Sequence, residues 1–298
     1  MNKATLVGPA LAALALLTGC TTAPSAARAI SPAASTGHAL TRKSTGWASV
    51  DTATLTPGVQ TYTGDGQCTA NFVFTDADGN VYLGQAAHCA TKGESSQTNG
   101  CEVHSLPIGT AVTFREGGTP VSPGREIGTG TLAYSSWLTM QDRREADHPT
   151  CAYNDFALVR ISRGDRRLVN PSVPHWGGPT GINLNGVNAG DTLVSYGNSS
   201  LRAGDSRLSP QTYTAAGDDS MADGWSHAVE SPTPGIPGDS GSGYLDGQGR
   251  ATGVLSTLGF SIPVINNIGD LAMELRYAQE YSGIPGLRLE LGTAPFRG

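Results

Sequence analysis

The chain predicts an all-β protein, and three observations carry that prediction. Forty glycines and eighteen prolines are spread through 298 residues, and they punctuate short runs rich in Val, Thr and Ser, the pattern of strands joined by turns. Most of these runs have no helical pattern between them, so parallel βαβ units are not indicated. Only one stretch, residues 271–281, carries helical periodicity with stop and start signals at both ends. A hydrophobic share of 38% against 15% charged excludes bulk disorder and is enough for two compact units. The net charge is −6 and no basic run is interleaved with aromatics, which argues against a nucleic-acid partner.

Residues 1–19 read as an export signal: Lys3, an apolar run over 10–17, then Leu17-Thr18-Gly19-Cys20. The apolar core is too short to span a bilayer. Its end resembles the lipobox of bacterial lipoproteins, which makes Cys20 the lipidated first residue of the mature chain and the membrane a partner through that anchor. The competing reading is ordinary secretion, with cleavage near Ala26-Ala27-Arg28-Ala29. Either way the mature protein lies outside the cytoplasm, on the outer face of a bacterial cell membrane or free. Residues 20–56, rich in Ala, Ser, Thr and Pro without apolar periodicity, read as a flexible tether, and 57–298 as the folded part.

With Cys20 lipidated or removed, Cys68, Cys89, Cys101 and Cys151 form an even set for an oxidising compartment. Four cysteines allow three pairings and sequence alone does not choose among them; Cys68 with Cys89 and Cys101 with Cys151 is the pairing favoured here. No Cys-x-x-Cys or paired histidine spacing supports zinc.

In chain order, residues 59–64 and 69–74 read as strands, 76–80 as a tight turn and 81–86 as a returning strand. Asp76-Ala77-Asp78-Gly79-Asn80 has the start of a calcium loop, but the last ligand position falls on Ala87, so no metal is expected. Residues 112–115, 127–133 and 156–161 continue the rhythm, and 171–181 connects two halves, 57–170 and 182–298. Strands over 192–196, 226–230, 242–245 and 251–257 follow. Arg163-Gly164-Asp165 sits at a turn and Asn198-Ser199-Ser200 is a glycosylation sequon by pattern; neither is given a function. Asp270 caps the helix over 271–281, Leu271, Leu275 and Ala278 form its apolar face, and Gly283 suits its end.

Three stretches carry chemistry. Pro237-Gly238-Asp239-Ser240-Gly241-Ser242-Gly243 sets one hydroxyl among glycines, so that the amides of Gly238 and Ser240 can face one point beside Ser240 Oγ. His88 ends a strand and is followed by Cys89, which fixes it. Asp155 opens an apolar strand, Asn154-Asp155-Phe156-Ala157-Leu158-Val159, where an unpaired carboxylate is costly and a partner is expected. A hydroxyl, a base and a carboxylate to orient the base are what nucleophilic acyl transfer needs.

Ala86-Ala87-His88-Cys89, Asn154-Asp155-Phe156-Ala157-Leu158 and Gly238-Asp239-Ser240-Gly241 resemble, in order, the three motifs of the chymotrypsin/trypsin-like serine proteases, in particular the secreted bacterial branch. The resemblance implies two antiparallel six-stranded β-barrels with a C-terminal α-helix and the site between them. It implies His88 as general base, Asp155 as its orienting partner, Ser240 as nucleophile and the Gly238 and Ser240 amides as the oxyanion hole. No cofactor is implied, and the partner is a peptide or protein substrate of an endopeptidase. The pocket base falls on Pro234 and one wall on Ser256, Thr257 and Leu258, which implies small or medium apolar side chains rather than Arg or Lys. The chain departs from the family at Asp239: no activation-type N-terminus is present, and Ser195 or Tyr196 stands where some bacterial members supply an arginine. The alternatives are a weakly active pseudoprotease that serves as a binding module and an esterase with the same triad.

Overall fold

The structure, a computed structural model, describes residues 46–92, 99–218, 221–259 and 264–298. These belong to one unit, Thr45–Gly298. The export signal, Cys20 and most of the tether lie outside the described residues.

The first half is an antiparallel sheet. β1 (Gln60–Thr63) pairs with β2 (Gly66–Thr69) and β5 (Ala111–Glu116), β3 (Val73–Thr75) with β4 (Val81–Gln85), and β6 (Arg125–Ser135) with β5 and β7 (Ala157–Ile161). With β14 (Arg288–Leu289), the order is β14-β3-β4-β7-β6-β5-β1-β2. The stretch 69–74, expected as one strand, is a corner. Ala70 N donates to Val59 O (2.9 Å), while Asn71 N donates to Gly84 O (2.8 Å) and Gly84 N to Phe72 O (3.0 Å). So β2 and β3 are the ends of one bent strand that joins β1 to β4, and the sheet curls back on itself. The acidic run 76–80 forms the turn: the Asp76 carboxylate accepts from Asn80 N and Nδ2 and from Tyr82 Oη at 2.7–2.8 Å. Leu55, Val73, Leu83, Phe114 and Val159 fill this half and are fully buried, each stabilising by roughly 1.5–3 kcal/mol relative to exposure.

The second half is a closed barrel. β8 (Thr192–Tyr196), β9 (Pro210–Asp218), β10 (Ser226–Glu230), β11 (Gly243–Asp246), β12 (Ala251–Leu258) and β13 (Ile265–Asp270) run β10-β13-β12-β11-β8-β9, and β10 also pairs β9. Leu193, Tyr213, Val229, Tyr244, Leu255 and Ile268 point inward. β9 and β13 are absent from the sequence reading, because β9 alternates Gln211, Tyr213 and Ala215 inward with Thr and Ala outward, and β13 carries two asparagines and a glycine. Closure of the barrel, not local propensity, recruits them.

Among the described residues there are three α-helices rather than one: α1 (Ser136–Arg143), α2 (His148–Tyr153) and α3 (Leu271–Tyr281). The first two are short. Asp147 caps α2 by accepting from Thr150 N (3.0 Å), and Arg144 closes α1 at φ 54°. α3 is capped by Asp270, which accepts from Met273 N (2.9 Å), and it leans on α1, with the Arg143 guanidinium 3.5 Å from the Tyr281 ring centroid. No described helix is long and apolar enough to cross a membrane.

Two boundaries move. Residues 46–56, expected in the tether, pack on the first half: Trp47 joins its core, Leu55 is 0% exposed, and Ala48 N donates to Val169 O (2.9 Å). The C-terminal β14 crosses back to pair with β3. Disulfides join Cys68 to Cys89 and Cys101 to Cys151, bonds typical of an oxidising compartment.

Candidate active site

β4 ends in a 3-10 turn, Ala87–Ala90, which swings His88 out of the sheet. The Cys68–Cys89 bond ties that turn to β2. α2 delivers Asp155 to the start of β7, where Asp155 O accepts from Ala87 N (3.1 Å). The buried Asp155 carboxylate then holds the histidine twice. Oδ1 accepts from His88 N at 2.8 Å and Oδ2 from His88 Nδ1 at 2.6 Å. With Nδ1 carrying the proton, the lone pair is left on Nε2. Burial pulls the His88 pKa down, but the charge and hydrogen bond of Asp155 outweigh it and leave the pKa raised.

Two further groups fix Asp155, and neither role is read from sequence. Ser256 Oγ donates to Oδ2 (2.7 Å), so the residue placed in the pocket wall reaches the carboxylate instead. Glu274, fully buried on α3, accepts from Asp155 N (3.1 Å). Burial and the Asp155 and Asp270 charges push the Glu274 pKa well up, against the Asp155 amide, which lowers it.

Ser240 comes from the other half. Thr69 N donates to Ser240 O (2.9 Å), and Gly241, at φ 86°, lies so close to β2 and β4 that a Cβ there would stand 2.7 Å from Thr69 O and 2.8 Å from Ala86 N. Only glycine allows that approach. Among the described residues the His88 ring and the Ser240 hydroxyl share no hydrogen bond, a contact that commonly tightens with substrate. Within the loop, the amides of Asp239, Gly241 and Ser242 donate to Ile236 O, Leu255 O and Asp239 O. Those of Gly238 and Ser240 have no acceptor among the described residues.

The partner of Asp239 is Arg202. Its guanidinium bonds Asp239 Oδ2 through Nη2 and lies 3.4 Å from Oδ1 through Nε. Ser199 N (2.9 Å to Oδ1) and Ile236 N (3.0 Å to Oδ2) complete the carboxylate. Asp239 is 0% exposed, and such a charge is tolerated only when paired and hydrogen-bonded. Ser195 donates Oγ to Gly243 O (2.9 Å) and makes no hydrogen bond with Asp239. Arg202 lies in the 3-10 turn Ser200–Arg202, which follows β8; its signal in the sequence is only a cation close behind that strand. Asn198 of the sequon is half-buried, with Nδ2 on Gly58 O (2.8 Å).

In the pocket region, Pro234 O accepts from Gln211 Nε2 (3.3 Å) and Thr257 Oγ1 accepts from Asn267 Nδ2 (3.0 Å). Leu255 and Leu258 press toward Gly235: a Cβ there would lie 2.7 Å and 3.6 Å from their Cδ2 atoms. Asn266 Oδ1 accepts from Gly235 N (2.8 Å). Cys68, His88 and Cys89 cluster within 4.8 Å, but both sulfurs are spent on the disulfide, so no thiolate is available to a metal.

No protein-family model matches the chain, and no curated protein matches it. Its structural neighbours are bacterial serine proteases of the chymotrypsin/trypsin-like kind. Thermobifida fusca Protease A is 18% identical, with 80% of this chain and 99% of that chain covered and a TM-score of 0.49. A Nocardiopsis protease is 17% identical, covering 79% and 98% at a TM-score of 0.46. Cellulomonas bogoriensis chymotrypsin is 17% identical, covering 79% and 98% at 0.42.

Proposed function

We propose that this chain is an exported serine endopeptidase that cleaves peptide bonds through an acyl-enzyme on Ser240. The observation that carries the reading is the double hold of buried Asp155 on His88, 2.8 Å to the amide and 2.6 Å to Nδ1, which presents Nε2 as a base beside the Ser240 loop. Ser240 Oγ attacks the scissile carbonyl as His88 Nε2 takes its proton. The oxyanion is received by the Gly238 and Ser240 amides, where one donor is worth about 3 kcal/mol in the transition state. His88 then protonates the leaving amine, and water returns the enzyme by the same route.

The Arg202–Asp239 pair supports an active loop over a pseudoprotease. Leu255 and Leu258 against Gly235 favour a small or medium apolar residue before the cleaved bond. Profiling a peptide library with wild type and S240A tests this: cleavage after small apolar residues, absent in S240A, is expected. Hydrolysis of esters alone would identify an esterase, and no turnover of either would remove the enzymatic reading. We further propose that Cys20 is lipidated and anchors the protein to the outer membrane face; C20S is expected in the soluble fraction, and its retention on membranes would contradict the anchor.

A further inference from the structure

We infer that Ser199 is the positioning residue that turns the Gly238 amide toward the oxyanion. The inference rests on the proposed serine-hydrolase reading and adds to it a residue outside the three motifs.

In a trans peptide the N–H and C=O point in opposite directions. The Gly238 N–H therefore faces the site only while the Pro237 carbonyl faces away from it. Ser199 Oγ donates to that carbonyl at 2.5 Å. The backbone itself cannot make this choice: Gly238 sits at φ 95°, and glycine passes readily between conformations that differ by a turned peptide. The selection has to come from outside the loop. Ser199 is 1% exposed, and it holds the loop from both ends, because its amide also donates to Asp239 Oδ1 (2.9 Å).

The peptide after Gly238 is pinned too. Gly238 O accepts from Thr69 Oγ1 (2.8 Å) and Gln67 Nε2 (3.1 Å), and Asp239 N donates to Ile236 O (2.9 Å). The pivot is thus fixed on one side by β2 of the first half and on the other by Ser199 of the second. Gln67 Oε1 accepts from Ser200 N (2.9 Å), which fixes the Ser199 segment to the same strand. Of these contacts, only the Ser199 hydroxyl acts on the peptide that carries the oxyanion amide. Its removal leaves the Gln67 and Thr69 bonds in place and takes no atom from the Asp239 ion pair. It also frees Leu201 N, from which Ser199 Oγ accepts (3.1 Å) at the start of the turn that carries Arg202, so the denaturation midpoint belongs in the test. Pro237 itself is an exposed residue, and S199A is expected to keep the fold while losing the orientation.

The test compares wild type, S199A and S199T on a peptide substrate, a peptide boronic acid that forms the tetrahedral adduct, and the same peptide as a C-terminal amide. Loss of an oxyanion donor typically costs 10²–10³ in kcat; with the peptide free to turn either way, S199A is expected to lose roughly 10- to 100-fold in kcat. KM and the Ki of the amide should stay within about twofold, the boronate Ki should rise in step with the kcat loss, and S199T should restore most of both. Wild-type kcat and boronate affinity in S199A would overturn the inference alone. Parallel loss of kcat, amide binding and denaturation midpoint, unrescued by S199T, would do so as well by assigning Ser199 to the fold. A wild type without Ser240-dependent turnover would overturn both the inference and the enzymatic reading.

Discussion

Arg202 supplies the charge that pairs with the Asp239 carboxylate in the Ser240 loop. Its guanidinium is 10% exposed and compensates the fully buried Asp239, so R202A leaves a carboxylate in the interior with only two amides. Breaking such a pair typically costs 3–5 kcal/mol; urea unfolding of R202A is expected to show a loss of about that size, with kcat reduced at the temperature where the variant stays folded. His88 gives a second residue-level expectation. Asp155 raises its pKa, and the proposed reaction needs it neutral as base, so kcat/KM is expected to fall with decreasing pH along a limb centred above about 6.5, the free histidine value. A limb below that value would contradict the Asp155 coupling. His88, Asp155 and Ser240 are legible in sequence because each sits in a local pattern that its chemistry demands. Arg202, Ser199 and Ser256 are not, since a surface-type cation or hydroxyl acquires its partner only when separate turns and strands meet.

At the scale of elements, α3 does more than close the chain. It buries Leu271, Leu275 and Ala278, as its periodicity predicts, and also Glu274, a charged residue three positions after Leu271 and so on the same face. That carboxyl meets the Asp155 amide, with the charges of Asp155 and Asp270 and the buried Tyr134 around it. Its pKa is raised, so the folded protein keeps a proton that the unfolded chain releases. Stability is therefore lost as pH rises from the ordinary glutamate range toward the folded pKa. E274Q mimics the protonated acid and escapes that loss. Its urea midpoint is expected to gain on wild type steadily from pH 4.5 upward, with activity retained; a gap constant with pH would show that Glu274 is ionised in the fold. The cap at Asp270 and the stop at Gly283 made α3 legible, whereas α1 and α2 are too short for periodicity to register. Both are braced from outside: Cys151 of α2 is bonded to Cys101, and Trp137 of α1 packs on Gly100, its ring centroid 6.4 Å from that of His88.

Across the molecule, the site exists only where the two halves meet. The first supplies His88 and Asp155, the second Ser240 and Ser256, and Gln67 and Thr69 of β2 bind Asn198 and Gly238 across the junction. The all-β class was legible from the glycine and proline punctuation and the closed barrel from the resemblance that the three motifs carry, whereas the bent corner at 70–72 was not, because it is set by pairings distant in sequence. The same reasoning explains Leu55, which reads as tether but is drawn into the first core by Val169. The most direct test of the whole account is intact-mass and peptide mapping after treatment with a fluorophosphonate. One adduct per chain, located on Ser240, lost in S240A and slowed in H88A, is the predicted result. No adduct on the folded wild type, or an adduct on another serine, would contradict it.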